Sequence, residues 1–433
     1  MADEDGATIA RRLQEEEQRW RDRPGMQASK FYTHECARGL LDALRLDKSP
    51  EGIASGLDTL FKHIGDRLDL GVDEVRDYLS DAVREGELRQ RPAIALDRAS
   101  TLRCALDNQA ERYGHPKLAT VIVAPVHLPV HLMEPSKPGD PDEQPEDPRM
   151  GVARATAVAR VAADYFTSVV PAVASAVPAG GPTCVVGVSG GRTMLEVCKE
   201  FTDSGEHRYT NLAICPLAGE AEPELFGISA NSVALRFGEA CGPDTTFRAL
   251  MTTPFTGLQA DAKTWKDGQR RSRALNEIAK LAERATFAFT GIGGTDENCA
   301  LWRLARHCDM PILSGVKSKV AGDICYRPIT ADGNDGWTDL SDRLFGLELD
   351  GLRALARSQA RRVFAIASGR QKAIGIIAAV RGGYVNSLIT DEITAADILA
   401  NLPEPDGPGQ VPASRECTHE CGSQPPCTNP EEG

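Results

Sequence analysis

Apolar positions along the chain fall into two regimes. Between residues 31 and 90 they recur at helical spacing in three patterns. One opens with Ser49-Pro50-Glu51, a cap followed by proline in the first turn, and aligns Ile53, Leu57, Leu60, Phe61 and Ile64 on one face. Another, from Val72 to Arg84, aligns Val75, Tyr78, Leu79 and Ala82. From residue 120 onward the pattern changes to short continuous apolar runs separated by helical stretches. The runs are "TVIVAP" (120–125), "TCVVGV" (183–188), "NLAICPL" (211–217), "ATFAFTGIG" (285–293), "RVFAIAS" (362–368) and "VNSLIT" (385–390). Runs this apolar suit strands covered on both faces. Alternating with helices, they predict an α/β domain with a Rossmann-like, mostly parallel sheet.

These regimes divide the chain. Residues 1–30 are expected to be a charged N-terminal arm, helical through "IARRLQEEEQRW" and stopped before Pro24. Residues 31–92 form a small all-α domain and 93–402 the α/β domain, interrupted by the acidic loop "EPSKPGDPDEQPEDP" at 134–148. Residues 403–433 are a flexible tail rich in Pro and Cys. No internal repeat is visible.

Composition adds three constraints. At 433 residues, 41% hydrophobic and 26% charged, the chain has room for two or three domains with a sizeable core. No run reaches the roughly eighteen apolar residues of a membrane span, and the N-terminus is too charged for a secretory signal, so the cytoplasm is the expected compartment. In a reducing compartment most of the 12 cysteines serve as small buried hydrophobes. The cluster Cys417, His419, Cys421 and Cys427 has a C-x3-C-x5-C spacing that is not that of a structural zinc site; neither a metal nor a cofactor is expected.

Ligands of open parallel sheets gather at the carboxyl ends of the strands. The residues there are Ser189-Gly190-Gly191-Arg192-Thr193, Gly219-Glu220, Gly291-Ile292-Gly293-Gly294 and Ser368-Gly369-Arg370-Gln371-Lys372. Three of these loops join glycine to hydroxyl or cationic side chains. Glycine lets backbone N–H groups approach an anion, the following helix offers its positive end, Arg192 can add a bidentate contact and Lys372 a point charge. One such loop is ordinary turn chemistry; several on one sheet edge point to a site for a phosphate-bearing molecule.

The same residues carry a resemblance. From about Leu88 to Leu402 the chain resembles the sugar-binding domain of SorC-type transcriptional regulators, also grouped under the DeoR name. "GVSGGRTM" is similar to that family's phosphate loop, "FTGIGG" to its glycine turn, and "GDICYRPITADG" (322–333) to a segment running from Gly-Asp-Ile to Asp-Gly. "GRQKAIGIIAAVRGGYVNSLITDEITAADIL" resembles its C-terminal signature nearly throughout. The resemblance implies a fold akin to sugar-phosphate isomerases, a phosphorylated-sugar effector and a homodimer or homotetramer. It puts Ser189, Gly191, Arg192 and Thr193 in the phosphate loop with Gly190 between them, Gly291 and Gly293 beside the sugar, Asp323 and Lys372 in the pocket wall, and Asn231 in the pocket or a helix cap. Two departures stand out. Gly190 occupies a position that is usually aromatic, which implies a looser loop or a larger pocket. "CPLAGEAEPELFG" contains no lysine, which excludes the Schiff base that some relatives form there.

"IGDRLDLGVDEVRDYLSDAVREGELR" (64–89) lines up with the family's helix-turn-helix through Ile64, Arg67, Leu68, Leu70, Val75, Leu79, Ala82 and Gly86. Its recognition helix is acidic, however, exposing Asp73, Glu74, Asp77 and Asp81 beside Arg76, and Arg76 and Arg84 are left as the candidate DNA contacts. Residues 31–90 hold eight Lys and Arg against thirteen Asp and Glu, and the whole chain carries −13. A net-negative surface is repelled by phosphates instead of releasing counterions, so DNA affinity is expected to be weak or lost. In the arm, Arg11, Arg12, Arg19, Arg21 and Arg23 are offset by seven acids.

Three functions fit this sequence. The first is a sugar-phosphate-sensing transcriptional regulator. The second is an isomerase-like enzyme on a sugar phosphate, with Asp296, Glu297 or Asp323 as its base. The third is a sensor whose N-terminal domain binds protein instead of DNA.

Overall fold

The computed structural model describes residues 2–21, 96–124, 126, 148–176, 183–204, 207–219, 227–252, 255–257, 260–296, 299–307, 309–312 and 314–402. The helix-turn-helix segment with Arg76 and Arg84, most of the acidic loop, Glu297 and the tail lie outside the described residues.

Seven parallel strands form one sheet in the order β1-β9-β8-β5-β2-β3-β4. They are β1 (Thr120–Ala124), β2 (Cys184–Val188), β3 (Leu212–Pro216), β4 (Thr246–Phe247), β5 (Phe287–Gly291), β8 (Arg362–Ile366) and β9 (Ser387–Asp391). The six apolar runs thus all become strands of the expected α/β fold. Two elements lie beyond that expectation: the short edge strand β4 and an antiparallel hairpin of β6 (Val320–Ile324) and β7 (Arg327–Thr330). The chain steps outward from β2 to β3 and β4, then returns to place β5 on the other side of β2. β2 and β5 therefore flank the point where the winding reverses, and a crevice opens beyond their carboxyl ends.

Helices cover both faces. The described helices of eight residues or more are α1 (Ala2–Arg21), α2 (Leu96–Arg112), α3 (Pro148–Ala176), α4 (Arg192–Asp203), α5 (Ala230–Ala240), α6 (Ala262–Arg271), α7 (Arg273–Ala282), α8 (Ala300–His307), α9 (Leu349–Ala356), α10 (Ala373–Arg381) and α11 (Glu392–Ala400). On one face alternate strand residues Phe287, Phe289, Phe364 and Val186 meet α3, whose Tyr165 and Phe166 join an aromatic cluster with Phe201 of α4 and Phe237 of α5. Such aromatic pairs contribute about 0.5–1.5 kcal/mol each beyond their burial. The stretch Gly151–Ala176 is in fact long and apolar enough to cross a membrane by composition, contrary to the expectation that no run qualifies. Its buried Val158, Tyr165, Phe166, Val169 and Val173 pack in the hydrophobic core, so its apolarity serves the sheet.

The N-terminal segment is a helix docked on this domain. Leu13 and Trp20 are buried in the same core, and the Trp20 ring meets Tyr165 edge-on. Three of its arginines are occupied within the helix: Arg11 with Glu15, and Arg12 and Arg19 with Glu16. Arg21 donates to the Thr120 hydroxyl at 3.2 Å.

Candidate functional site

The crevice at the reversal point is a cavity of about 370 Å³. All nine residues expected around a ligand line it, although they come from four separate stretches of sequence.

The first stretch joins β2 to α4. Ser189 extends the β2–β5 ladder through its N–H to the Phe289 carbonyl (2.9 Å), and its hydroxyl accepts from Gly291 N–H at 3.0 Å while donating to the Gly190 carbonyl at 3.1 Å. The serine thus stitches the loop to the glycine turn after β5. Gly191 has φ 109°, a conformation that side chains rarely adopt, and it precedes the first turn of α4. The first helical bond back to the loop is Leu195 N–H to the Gly191 carbonyl (3.0 Å). The N–H groups of Arg192, Thr193 and Met194 therefore have no partner within the helix, and an anion at this end also meets the positive helix terminus. Arg192 is exposed at the mouth; Thr193 is buried beneath it.

Gly190 does not loosen the loop. A Cβ there would stand 2.6 Å from the Ile228 carbonyl oxygen and 2.9 Å from the Ala230 nitrogen. Its absence lets residues 228–230 close onto the loop, where Gly191 N–H donates to the Ile228 carbonyl at 2.7 Å. Asn231 is likewise no part of the cavity wall. Its amide holds the Leu250 backbone at both N–H (2.9 Å) and carbonyl (3.1 Å), and Ser229 caps α5 instead.

The wall opposite is made by the glycine turn after β5 and the β6–β7 hairpin. Gly293 and Asp323 are joined through their backbones at 2.9 Å, and a Cβ on Gly293 would fall 1.8 Å from Asp323 Oδ1. Only glycine fits there. Asp323 is 6% exposed; its Oδ2 accepts the Tyr326 N–H at 3.2 Å, whereas Oδ1 is buried without a hydrogen-bond partner. Burial raises its pKa to about 7, against the opposing pull of the Tyr326 N–H and the Lys372 cation. The hairpin turn is Cys325-Tyr326, with φ 52° and 64°. Two successive side-chain-bearing residues in the left-handed region are strained backbone at the rim of the cavity.

Lys372 completes the wall from a short 3₁₀ turn, Arg370–Lys372, after β8. Its Nζ donates to the Thr193 hydroxyl at 3.4 Å. Burial lowers its pKa, offset by Asp323 and reinforced by the Arg192 charge.

Sequence reasoning did not include Arg303, Cys299, Tyr326 or Ile228, which also line the cavity. Arg303 had a signal: it lies on the helix that follows the glycine turn. Cys325 and Tyr326 had none, because their turn lacks the Asn-Gly or Gly residues that mark a two-residue hairpin. Asp296, proposed as a base, is exposed at the cavity's edge.

Comparison with known proteins accords with this architecture. The family described as "Putative sugar-binding domain" matches residues 145–400. The deoxyribonucleoside regulator of Bacillus subtilis is 27% identical over 219 residues, 50% of this chain and 65% of that protein. The sorbitol operon regulator of Klebsiella pneumoniae is 39% identical over 80 residues, 18% of this chain and 24% of that one. The matched segment therefore spans less than two thirds of each of these relatives. Among solved structures, a DeoR family transcriptional regulator from Listeria monocytogenes superposes with a TM-score of 0.50 at 18% identity, covering 69% of this chain and 99% of its own. The full-length sorbitol operon regulator SorC from Klebsiella pneumoniae gives a TM-score of 0.50 at 20% identity, covering 78% and 93%. These likenesses show a shared fold. With the match over residues 145–400 extending across more than half of the sequence, the chain belongs to the sugar-binding-domain family of SorC- and DeoR-type regulators.

Proposed function

We propose that the chain is a transcriptional regulator of the SorC type whose large domain binds a phosphorylated sugar or similar small metabolite. The observation that carries this reading is the convergence of a helix N-terminus, Arg192 and Lys372 on one cavity that also presents an unpartnered carboxylate oxygen. The cationic groups suit phosphate, and Asp323 Oδ1 suits a sugar hydroxyl. Effector binding would then bias how two or four N-terminal domains meet DNA in the cytoplasm. The regulator names of the relatives support that role, and the acidic surface of residues 31–90 predicts that DNA binding is weak.

A second reading has one specific support. Asp323, with its pKa near 7 and its place beside Lys372, has the properties of a general acid–base group, as an isomerase-like enzyme requires. One experiment separates the two. The protein is incubated with a panel of sugar phosphates and the matching free sugars, and melting temperature and product formation by NMR are followed in the same samples. Stabilisation by phosphorylated compounds that remain unchanged is the expected result. Turnover of the stabilising compound would make the protein an enzyme, and stabilisation by none, or equally by free sugars, would refute the phosphate assignment.

A further inference from the structure

The N-terminal helix is held by an unusual set of contacts. Its apolar stripe is narrow: Leu13 and Trp20 are buried and Ile9 is partly so. Beside this stripe stands a set of polar contacts. Glu17, 4% exposed, accepts at Oε1 from the Tyr165 hydroxyl (2.7 Å), the Thr120 hydroxyl (2.9 Å) and Arg362 Nε (3.0 Å). Its Oε2 accepts from Arg362 Nη2 at 3.1 Å. Trp20 Nε1 donates to Asp164 at 2.6 Å. One carboxylate thus joins α1 to the first residues of β1 and β8 and to the middle of α3.

A buried ion pair demands one geometry while adding little net stability over an apolar contact. Both sides are also equipped to separate. Away from the sheet, α1 keeps its internal pairs Arg11–Glu15, Arg12–Glu16 and Arg19–Glu16, spacings that support an isolated helix. On the domain, Arg362 Nη1 retains the Gln359 and Arg361 carbonyls at 2.9 and 3.0 Å. Undocking therefore exposes two large apolar side chains of α1 and strands no cation without acceptors.

The position of α1 in the chain gives this a consequence. α1 ends at Arg21 and α2 begins at Leu96, so the 22–95 stretch is covalently joined to a docked helix at each end. Arg362 also opens β8, and the other end of that strand leads into the Arg370–Lys372 turn of the cavity. We propose that α1 is a releasable clasp: docked, it ties the chain at Arg21 to the sugar-binding domain, and released, it gives up that attachment while the one at Leu96 stays in place. Only the use of the freed stretch for DNA contact rests on the regulator reading; the clasp rests on α1's own contacts.

Hydrogen exchange of the full chain, followed by mass spectrometry, tests the clasp without DNA or effector. The expected result is an α1 that exchanges at least about tenfold slower than an unprotected peptide, yet at least about a hundredfold faster than β2 and β5, since it opens as its own unit. Glu17→Gln should speed exchange in α1 by up to about a hundredfold, as far as the unprotected rate allows, while leaving β2 and β5 unchanged. If that variant fails to fold, Trp20→Phe removes the bond to Asp164 together with part of the buried ring and should give a change of at least about tenfold in the same direction, up to the unprotected rate. Exchange of α1 in step with β2 and β5 would make it a permanent part of the core, and exchange at the unprotected rate would mean that it does not dock. Either result overturns the proposal, and neither bears on whether the cavity binds a sugar phosphate.

Discussion

Asp323→Asn is the most informative single substitution in the cavity. The side chain is buried, and its pKa rises from 3.8 to about 7, so the folded protein binds this proton more tightly than the unfolded chain. A raised carboxyl pKa means that stability is greatest below about pH 4 and declines as pH rises toward 7, where the native site must hold a buried charge. Above pH 7 the contribution is constant. The shift corresponds to about 4 kcal/mol at roughly 1.4 kcal/mol per unit. The amide keeps the oxygen that accepts from Tyr326 N–H and removes the ionisation. The variant should therefore be more stable than the parent by up to about 4 kcal/mol at pH 8, with the difference vanishing near pH 4. Urea titrations of both proteins at pH 4, 6 and 8 measure this directly. A variant that gains nothing at pH 8, or a difference that does not change with pH, would refute the account of Asp323 as an uncompensated buried acid. Ligand binding should show the reciprocal effect. A sugar hydroxyl donating to Oδ1 favours the carboxylate, so below pH 7 affinity should fall by up to about tenfold more per pH unit in the parent than in the variant, whose remaining pH dependence is that of the ligand's phosphate.

Other substitutions test separate parts of the site. Gly293→Ala forces a methyl group against Asp323 Oδ1 and should lower stability by about 1–3 kcal/mol while abolishing effector binding, as a melt and a calorimetric titration would reveal. Arg192→Ala and Lys372→Ala should each weaken a phosphorylated ligand by about ten- to a hundredfold and its free sugar far less; equal losses for both would mean that neither residue meets the phosphate. Leu13→Ala should weaken α1 docking by up to about 2–5 kcal/mol, read as lost exchange protection in α1, which a freely moving arm would not show. The full chain should capture genomic DNA fragments only at low salt, with a shallow salt dependence; tight binding at physiological salt would show that the excess of acids in residues 31–90 is no barrier.

The sequence made the sheet legible because its strands are buried on both faces and so appear as unbroken apolar runs. The cavity was legible because turns beside an anion need glycine, and those glycines stand just past the runs. The β6–β7 hairpin escaped for a local reason. Its turn places Cys325 and Tyr326 in a region that normally calls for glycine or asparagine, and Pro328 interrupts a strand pattern. β4, at two residues, is too short to show any period. Gly190 misled in the other direction. Missing bulk reads as spare room in one dimension, whereas in three it admits the backbone at residues 228–230. The docking of α1 was hidden because Glu17 looks like one more surface charge, and its partner Arg362 lies 345 positions away.

Such distances also shape how the cavity comes into being. Thr193 and Lys372 meet in one hydrogen bond although 179 positions separate them. At a synthesis rate of about 5–20 residues per second, the two walls of the cavity leave the ribosome roughly 10–40 s apart. During that interval the glycine loop exists without the lysine that faces it. A nascent chain therefore lacks the finished cavity, and any ligand of that cavity can stabilise only a complete domain. A ligand of the cavity would act as a check on completeness, enriching whole molecules over truncated ones.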